Sequence, residues 1–246
     1  MILEEKTFDL IKNRKKWVEP KNIRVCCTVT GENLEEFLKN LEETQKICQF
    51  VELRVDYIKN LKLNDLDIIK KNTTVKNIFT CRSVEEGGKF EGTTDELLNI
   101  INKANDLKFD HIDIEISKLE YIKFKKKNSK IIGSYHNFKE TPDFEELSEI
   151  CENILSYKIV DIPKIATYVN CNEDLVTIPM LILSFREKNE IIIIGMGEKG
   201  RGTRITGPML GTYLTFAYIG DNKTAPGQVS LDEIKEFYKS KKINKD

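Results

Sequence analysis

The sequence predicts a single-domain α/β protein of the (β/α)8 barrel (TIM barrel) class, on three observations. Short apolar, β-branched runs recur eight times, at steps of roughly 20 to 35 residues, each followed by a polar stretch of helical pattern. The chain has 246 residues, a length that accommodates eight βα units in one domain. No Gly-x-Gly-x-x-Gly motif follows the first strand, which argues against an open doubly wound sheet. The units share spacing but no sequence repeat, so a solenoid is excluded. Residues 1–246 therefore read as one barrel, with residues 1–20 as an N-terminal extension closing its floor.

Taken in order, the predicted strands are 23–29, 50–57, 77–82, 111–116, 130–136, 159–166, 190–196 and 213–219. In the first, Cys26 and Cys27 are adjacent and point to opposite faces. Residues 33–48 and 94–106 read as helices, the second opening on Thr93-Thr-Asp-Glu96, whose hydroxyl and acidic groups suit a first turn. In the second strand, Val51, Leu53 and Val55 share one face while Glu52, Arg54 and Asp56 share the other. Three charges aimed into a barrel are tolerated only when they pair with one another or with a ligand.

Composition excludes several functions. Lys+Arg 39 against Asp+Glu 40 leaves a net charge of -1, so no global field attracts nucleic acid or an anionic membrane. Lysine-rich runs alternate with acidic ones and read as solvated helix faces. The six cysteines form no Cys-x-x-Cys pair and have no histidine at metal-ligand spacing, which fits reduced thiols in a cytoplasmic protein and no metal site. The first residues lack a signal-peptide pattern, and no apolar run approaches the roughly 18 residues a membrane span needs.

The chemistry concentrates at predicted strand ends. Lys164 lies in an otherwise apolar strand, where burial disfavours the ammonium form. A neutral amine there is a nucleophile for carbonyl carbon, which points to imine chemistry. Arg54 and Arg82, both cationic, would reinforce that neutral form. A single such lysine often reaches water instead, but its neighbours favour a catalytic role. His136 ends the fifth strand, where catalytic groups of this fold gather, and Glu86 sits in the loop after Arg82. His111, the other histidine, opens a strand and reads as structural. The stretch Gly197-Glu-Lys-Gly-Arg-Gly-Thr-Arg204 reads as a glycine-rich basic loop able to hold an anion. Pro226-Gly227 marks a turn that presents Thr224 and Gln228 at the mouth.

The ordered set Glu52-Leu-Arg-Val-Asp56, Arg82-Ser-Val-Glu-Glu86-Gly-Gly88, Ser134-Tyr-His136, Pro163-Lys164, Met196 with Arg204, Phe216, and Ala225-Pro-Gly-Gln228 resembles the type I 3-dehydroquinate dehydratase family of the shikimate pathway. The resemblance spans residues 20–230. It implies a barrel, usually a homodimer, that needs no metal or cofactor and converts 3-dehydroquinate to 3-dehydroshikimate by syn elimination through an imine. Carried over by position, it makes Lys164 the imine-forming residue, His136 the general acid/base and Glu86 its orienting partner. Arg204 would clamp the substrate carboxylate beside Gln228 and Thr224. Glu52, Arg54 and Arg82 would arrange the ring hydroxyls, and Met196, Phe216 and Ala225 would line the site. Thr224 stands where the family more often has serine, which preserves the hydroxyl.

Two other functions remain open on the residues alone. A class I aldolase-type lyase uses the same barrel and lysine, and would use the 197–204 stretch for phosphate. A non-catalytic barrel would use its arginines to hold a small anion.

Overall fold

Alternation along the strands and three-to-four-residue spacing along the helices give this chain two separate apolar faces to bury. Their burial produces a barrel wrapped in helices. The structure, a computed structural model, describes residues 22–220, 223–239 and 242–243, so the expected floor-closing extension lies outside the described residues. The barrel strands are β1 (Val25–Val29), β2 (Phe50–Arg54), β3 (Lys76–Thr80), β4 (His111–Glu115), β5 (Lys130–Asn137), β6 (Ile162–Tyr168), β7 (Ile192–Met196) and β8 (Thr215–Tyr218). The helices that follow them are α1 (Leu34–Ile47), α2 (Asp65–Asn72), α3 (Thr94–Asp106), the single turn α4 (Ile116–Leu119), α5 (Phe144–Ser156), α6 (Asp174–Phe185), α7 (Gly197–Leu210) and α8 (Leu231–Phe237).

Every ladder in the barrel is parallel, in the order β8-β1-β2-β3-β4-β5-β6-β7, and a two-residue strand, Val229–Ser230, adds to β8. Among the described residues no ladder joins β7 to β8. The seam is closed instead by the Tyr213 N–H donating to Ile191 O at 2.6 Å. Thr212 Oγ1 reinforces it, donating to Ile191 O at 3.0 Å. Inside, Ile192, Ile194 and Met196 pack with Leu214 and Phe216 across the same seam.

The outer strand faces pack on the helices. Val51, Leu53 and Phe79 meet Phe37 and Leu41 of α1, Leu66 and Ile69 of α2 and Leu97 and Ile101 of α3. Ile165 and Ile193 meet Leu147, Cys151 and Ile154 of α5 and Ile178, Leu181 and Ile182 of α6. Fully burying each such aliphatic side chain contributes about 1.5–3 kcal/mol. The helix starts are set locally. Asn33 and Asp143 accept from the third backbone amide of α1 and α5, while Thr93 with Glu96 and Ser230 with Glu233 form reciprocal capping boxes on α3 and α8.

Residues 197–204 are not a loop: they are the first turns of α7. Their glycines serve packing. A Cβ on Gly200 would lie 2.5 Å from the Gly195 carbonyl carbon, so only glycine lets α7 settle this closely on β7. The sixth strand also runs to Tyr168, beyond the limit the sequence suggests.

Because the atom met at Gly200 is backbone, it has no side-chain freedom with which to yield. Gly200→Ala is expected to lower stability by about 1–3 kcal/mol, the usual cost of overpacking, read as a lower denaturant midpoint at unchanged slope. An unchanged midpoint would show that α7 has room to shift.

Candidate active site

Strand register brings the polar side chains into the barrel. Ser134 of β5 and Lys164 of β6 are register partners, as are His136 and Ala166 one step further along. Since side chains two apart share a face, Lys164 and His136 both point inward at successive levels. Beneath them Cys26, Phe50, Ile78, Ile132 and Ile162 fill the lower barrel with apolar groups. His111 belongs to that lower region, with Nδ1 at 3.1 Å from Asn77 O and Nε2 at 2.9 Å from the Tyr213 hydroxyl.

A cleft opens above this floor. Glu52, Arg54, Arg82, Glu86, His136, Lys164, Met196, Arg204, Phe216, Thr224, Ala225 and Gln228 all line it. Every site residue expected from the sequence is therefore at one location. Phe138, Gly87, Ala166 and Ile194 complete the lining, and the Phe138 ring stacks at 6.4 Å on that of His136.

Lys164 is 5% exposed, and it is not the solitary buried amine that the sequence suggests. Its Nζ donates to Asp113 Oδ2 at 2.7 Å and lies 3.9 Å from Glu52 Oε1. The Phe216 ring sits 4.8 Å below the same nitrogen. Arg54 and Arg82 do not press on it unopposed, because an anion stands between. Asp113 Oδ1 accepts from Arg82 Nη2 at 2.6 Å and from Ser134 Oγ at 2.6 Å. Burial alone would raise the Asp113 pKa, but Arg82, Lys164 and His136 together hold it well below the usual carboxylate range.

Arg82 is the hub of the other charges. Its Nη1 donates to Ser134 Oγ at 2.9 Å and lies 3.6 Å from Glu86 Oε2 and 3.5 Å from Glu115 Oε1. Glu115 in turn accepts from the Ser83 amide and hydroxyl at 2.8 and 2.9 Å. This fixes the start of the loop that carries Glu86. Arg54 forks onto Asp56 with bonds of 2.8 and 2.7 Å, the bidentate geometry that suits a guanidinium. Glu52 accepts from Thr80 Oγ1 at 3.1 Å and Thr28 Oγ1 at 3.4 Å.

Glu86 Oε2 lies 2.8 Å from His136 Nδ1. Burial pushes the Glu86 carboxyl up to about 8, against the pull of Arg82. Burial and the nearby Arg82 and Lys164 cations push the His136 pKa well below its ordinary value. The imidazole is thus held neutral, and Glu86 decides which ring nitrogen carries its proton.

The opposite wall is cationic. Arg204 Nη2 donates to Pro226 O at 3.3 Å, while its Nε is buried without a hydrogen-bond partner among the described residues. Burial, with repulsion from Arg201, lowers the Arg204 pKa to about 10. Gln228 sits beside it, its Oε1 accepting from the Thr224 amide at 2.9 Å and its Nε2 donating to Thr28 Oγ1 at 3.3 Å.

Asp113, Glu115 and Ser134 belong to the network but are not assigned roles from the sequence. For Asp113 and Glu115 a signal exists: His111-Ile-Asp-Ile-Glu115 alternates polar and apolar groups as residues 51–54 do.

A parallel barrel with an inward lysine, a carboxylate-supported imidazole and an unfilled arginine around one cleft has the makeup of a lysine-imine barrel enzyme. The family model for type I 3-dehydroquinase matches residues 25–245, and the chain belongs to that family. A 3-dehydroquinate dehydratase of Coxiella burnetii is 40% identical over 215 residues, covering 87% of this chain and 92% of the relative. One of Methanocaldococcus jannaschii is 39% identical over 221 residues, covering 87% and 97%. In fold, the chain is similar to the crystal structure of 3-dehydroquinate dehydratase from Geobacillus kaustophilus, with a TM-score of 0.79, 24% identity and coverage of 88% and 90%. Family membership sets aside both the aldolase and the non-catalytic readings.

The Glu86 and His136 shifts have a consequence for rate. Below about 8 the carboxyl keeps its proton and can donate to Nδ1, which leaves Nε2 protonated and unable to accept. Above it the carboxylate accepts from Nδ1–H and frees Nε2 as a base. We expect kcat/KM, which reports the free enzyme, to rise with pH toward a plateau above about 8. Glu86→Gln should lose that rising limb. A limb that survives in the variant would assign the titration elsewhere.

Proposed function

We propose that Lys164, His136 and Glu86 carry out the reaction of this family, elimination of water from 3-dehydroquinate to give 3-dehydroshikimate through a lysine imine, the third step of the shikimate pathway. The observation that carries the assignment is the placement of Lys164 Nζ against Asp113 at 2.7 Å, with His136 on the neighbouring strand and an unsatisfied arginine across the cleft.

Attack on the substrate ketone uses the amine lone pair, so a proton must leave the nitrogen as the C–N bond forms. His136, a neutral imidazole, is suited to accept that proton, whereas Asp113, held well below the usual carboxylate range, is not. Carbinolamine dehydration then gives a protonated imine. That cation supplies the electron sink without which a histidine cannot remove the adjacent C–H proton at useful speed. Asp113 remains beside the nitrogen and balances its charge throughout. His136 Nε2 takes the proton next to the imine carbon and delivers one to the departing hydroxyl, so the same group serves both halves of a syn elimination. Hydrolysis of the product imine returns the amine to Asp113.

Arg204, whose Nε and second terminal nitrogen are available, grips the ring carboxylate in the fork geometry guanidinium favours, with Gln228 and Thr224 alongside. Glu52 and Arg54 face the ring hydroxyls, and Met196, Phe216 and Ala225 bound the ring. Arg82 is committed to Asp113, Ser134 and Glu86, and we assign it to holding those groups in place. The reaction as written draws on no metal or cofactor. We further infer a homodimer, as is usual in the family, and a cytoplasmic location. The buried thiols of Cys26, Cys27, Cys81 and Cys151, which form no disulfide among the described residues, support a reducing compartment.

Steady-state turnover, followed by the absorbance of the conjugated product, tests the assignment. Lys164→Ala should abolish it. His136→Ala should still form the imine slowly and lose roughly 10²–10⁴-fold in kcat, the usual worth of a positioned acid/base. Rapid, complete turnover by either variant would overturn the roles given.

A further inference from the structure

The two walls that would grip the substrate carboxylate come from different elements. Arg204 stands on α7. Thr224, Ala225 and Gln228 belong to the segment between β8 and α8. A carboxylate clamp works only if these two parts keep a fixed separation, because misplacement by about 1 Å sacrifices much of the advantage of orientation. The fixation therefore needs a physical source outside the substrate.

Part of it is backbone. The Gly197 N–H donates to Pro226 O at 3.2 Å. Gly227 has φ of 67°, and a Cβ there would lie 2.0 Å from Gly197 O. The segment thus lies directly on the start of α7. Arg204 adds its own bond to Pro226 O at 3.3 Å, but this is the guanidinium that must also turn to the substrate.

Arg201 supplies the remainder. It stands three residues before Arg204, on the same flank of the helix. Its Nη1 donates to the backbone oxygen of Gln228 at 3.1 Å, and its Nη2 is bonded to Glu233 Oε1. Glu233 is itself fixed, since its Oε2 accepts from the Ser230 amide and hydroxyl, both at 2.8 Å, as half of the α8 capping box. One guanidinium therefore joins α7, the Gln228 backbone and the first turn of α8. Neither bond uses a group that faces the substrate.

We propose that Arg201 is a positioning residue for substrate binding: it holds Gln228 and the 223–228 segment in register with Arg204, so that the carboxylate site is formed before the substrate arrives. The inference rests on the reading that Arg204 and Gln228 hold the substrate carboxylate. It gives Arg201 a structural partner set in place of the free anion-binding role that a glycine-rich basic stretch suggests. Lysine at this position could keep one of the two bonds but not both, because it lacks the planar fork.

The test compares the full chain with Arg201→Ala, Arg201→Lys and Glu233→Gln, by steady-state kinetics with 3-dehydroquinate and by amide hydrogen exchange. Loss of charge-assisted bonds that serve ground state and transition state alike should raise KM about tenfold in Arg201→Ala and leave kcat within about threefold. Amides of residues 224–229 should exchange faster in that variant while those of β4–β6 stay protected. Arg201→Lys should recover part of the KM, and Glu233→Gln should raise KM less than Arg201→Ala does. If Arg201→Ala does not fold, the lysine and Glu233 variants decide by the same two readouts. KM within about twofold of the unaltered chain in all variants, or a fall in kcat at unchanged KM, would overturn the proposal. Failure of the underlying site reading looks different: Arg204→Ala would then leave KM unchanged, whatever Arg201→Ala does to KM and exchange.

Discussion

The carboxylate of Asp113, shared between Lys164 and Arg82, is the constraint on which the site depends. Oδ2 accepts from the lysine at 2.7 Å and Oδ1 from the arginine at 2.6 Å. Arg82 follows β3, Asp113 lies on β4, Ser134 on β5 and Lys164 on β6, so this one carboxylate ties four successive staves from the inside. A buried charge without a partner costs several kcal/mol, and breaking such a pair by removing one member typically costs about 3–5 kcal/mol. The arrangement is stable as a whole and intolerant of partial loss. It also fixes the position of the Lys164 amine, which the proposed imine chemistry requires.

The rest of the charge pattern follows from that frame. Arg82, once bound to Asp113, still faces Glu86 and Glu115 and brings the Glu86 loop against His136. Burial, together with the Arg82 and Lys164 cations, then keeps the imidazole neutral, the form that the proposed base requires. Across the cleft the balance is reversed. Arg204 is buried, has one long hydrogen bond, and its Nε has no hydrogen-bond partner among the described residues. A buried guanidinium donor of this kind suits the anionic partner proposed for it. The anionic neighbours lie around the lysine and the Arg204 cation lies opposite, an arrangement that on the proposed reading would orient a ring bearing a ketone at one side and a carboxylate at the other.

Much of this was legible in the sequence, because a barrel strand writes its two faces into alternate residues. The alternation of Glu52 and Arg54 announced inward charges, although the strand ends at Arg54 and Asp56 falls in the helical turn Val55–Tyr57 beyond it, and Lys164 and His136 were marked by the apolar strands that carry them. Asp113 was not singled out, although the same alternation runs through residues 111–115. A charged residue flanked by isoleucines draws less notice than a lysine, and nothing local says which cation it meets 51 positions away. Residues 197–204 were misread for a different reason. Their glycine content argues against a helix on propensity alone, whereas the close approach of Gly200 to Gly195 makes that content a packing requirement. Arg201 followed the same error, since its partners lie on α8 and on a backbone oxygen that no motif encodes.

The most direct measurement is borohydride reduction of the protein in the presence of 3-dehydroquinate, followed by peptide mass spectrometry. The account predicts a single reduced adduct on the peptide containing Lys164, absent without substrate. Reduction that leaves Lys164 unmodified while turnover is intact, or that places the adduct on another lysine, would contradict it.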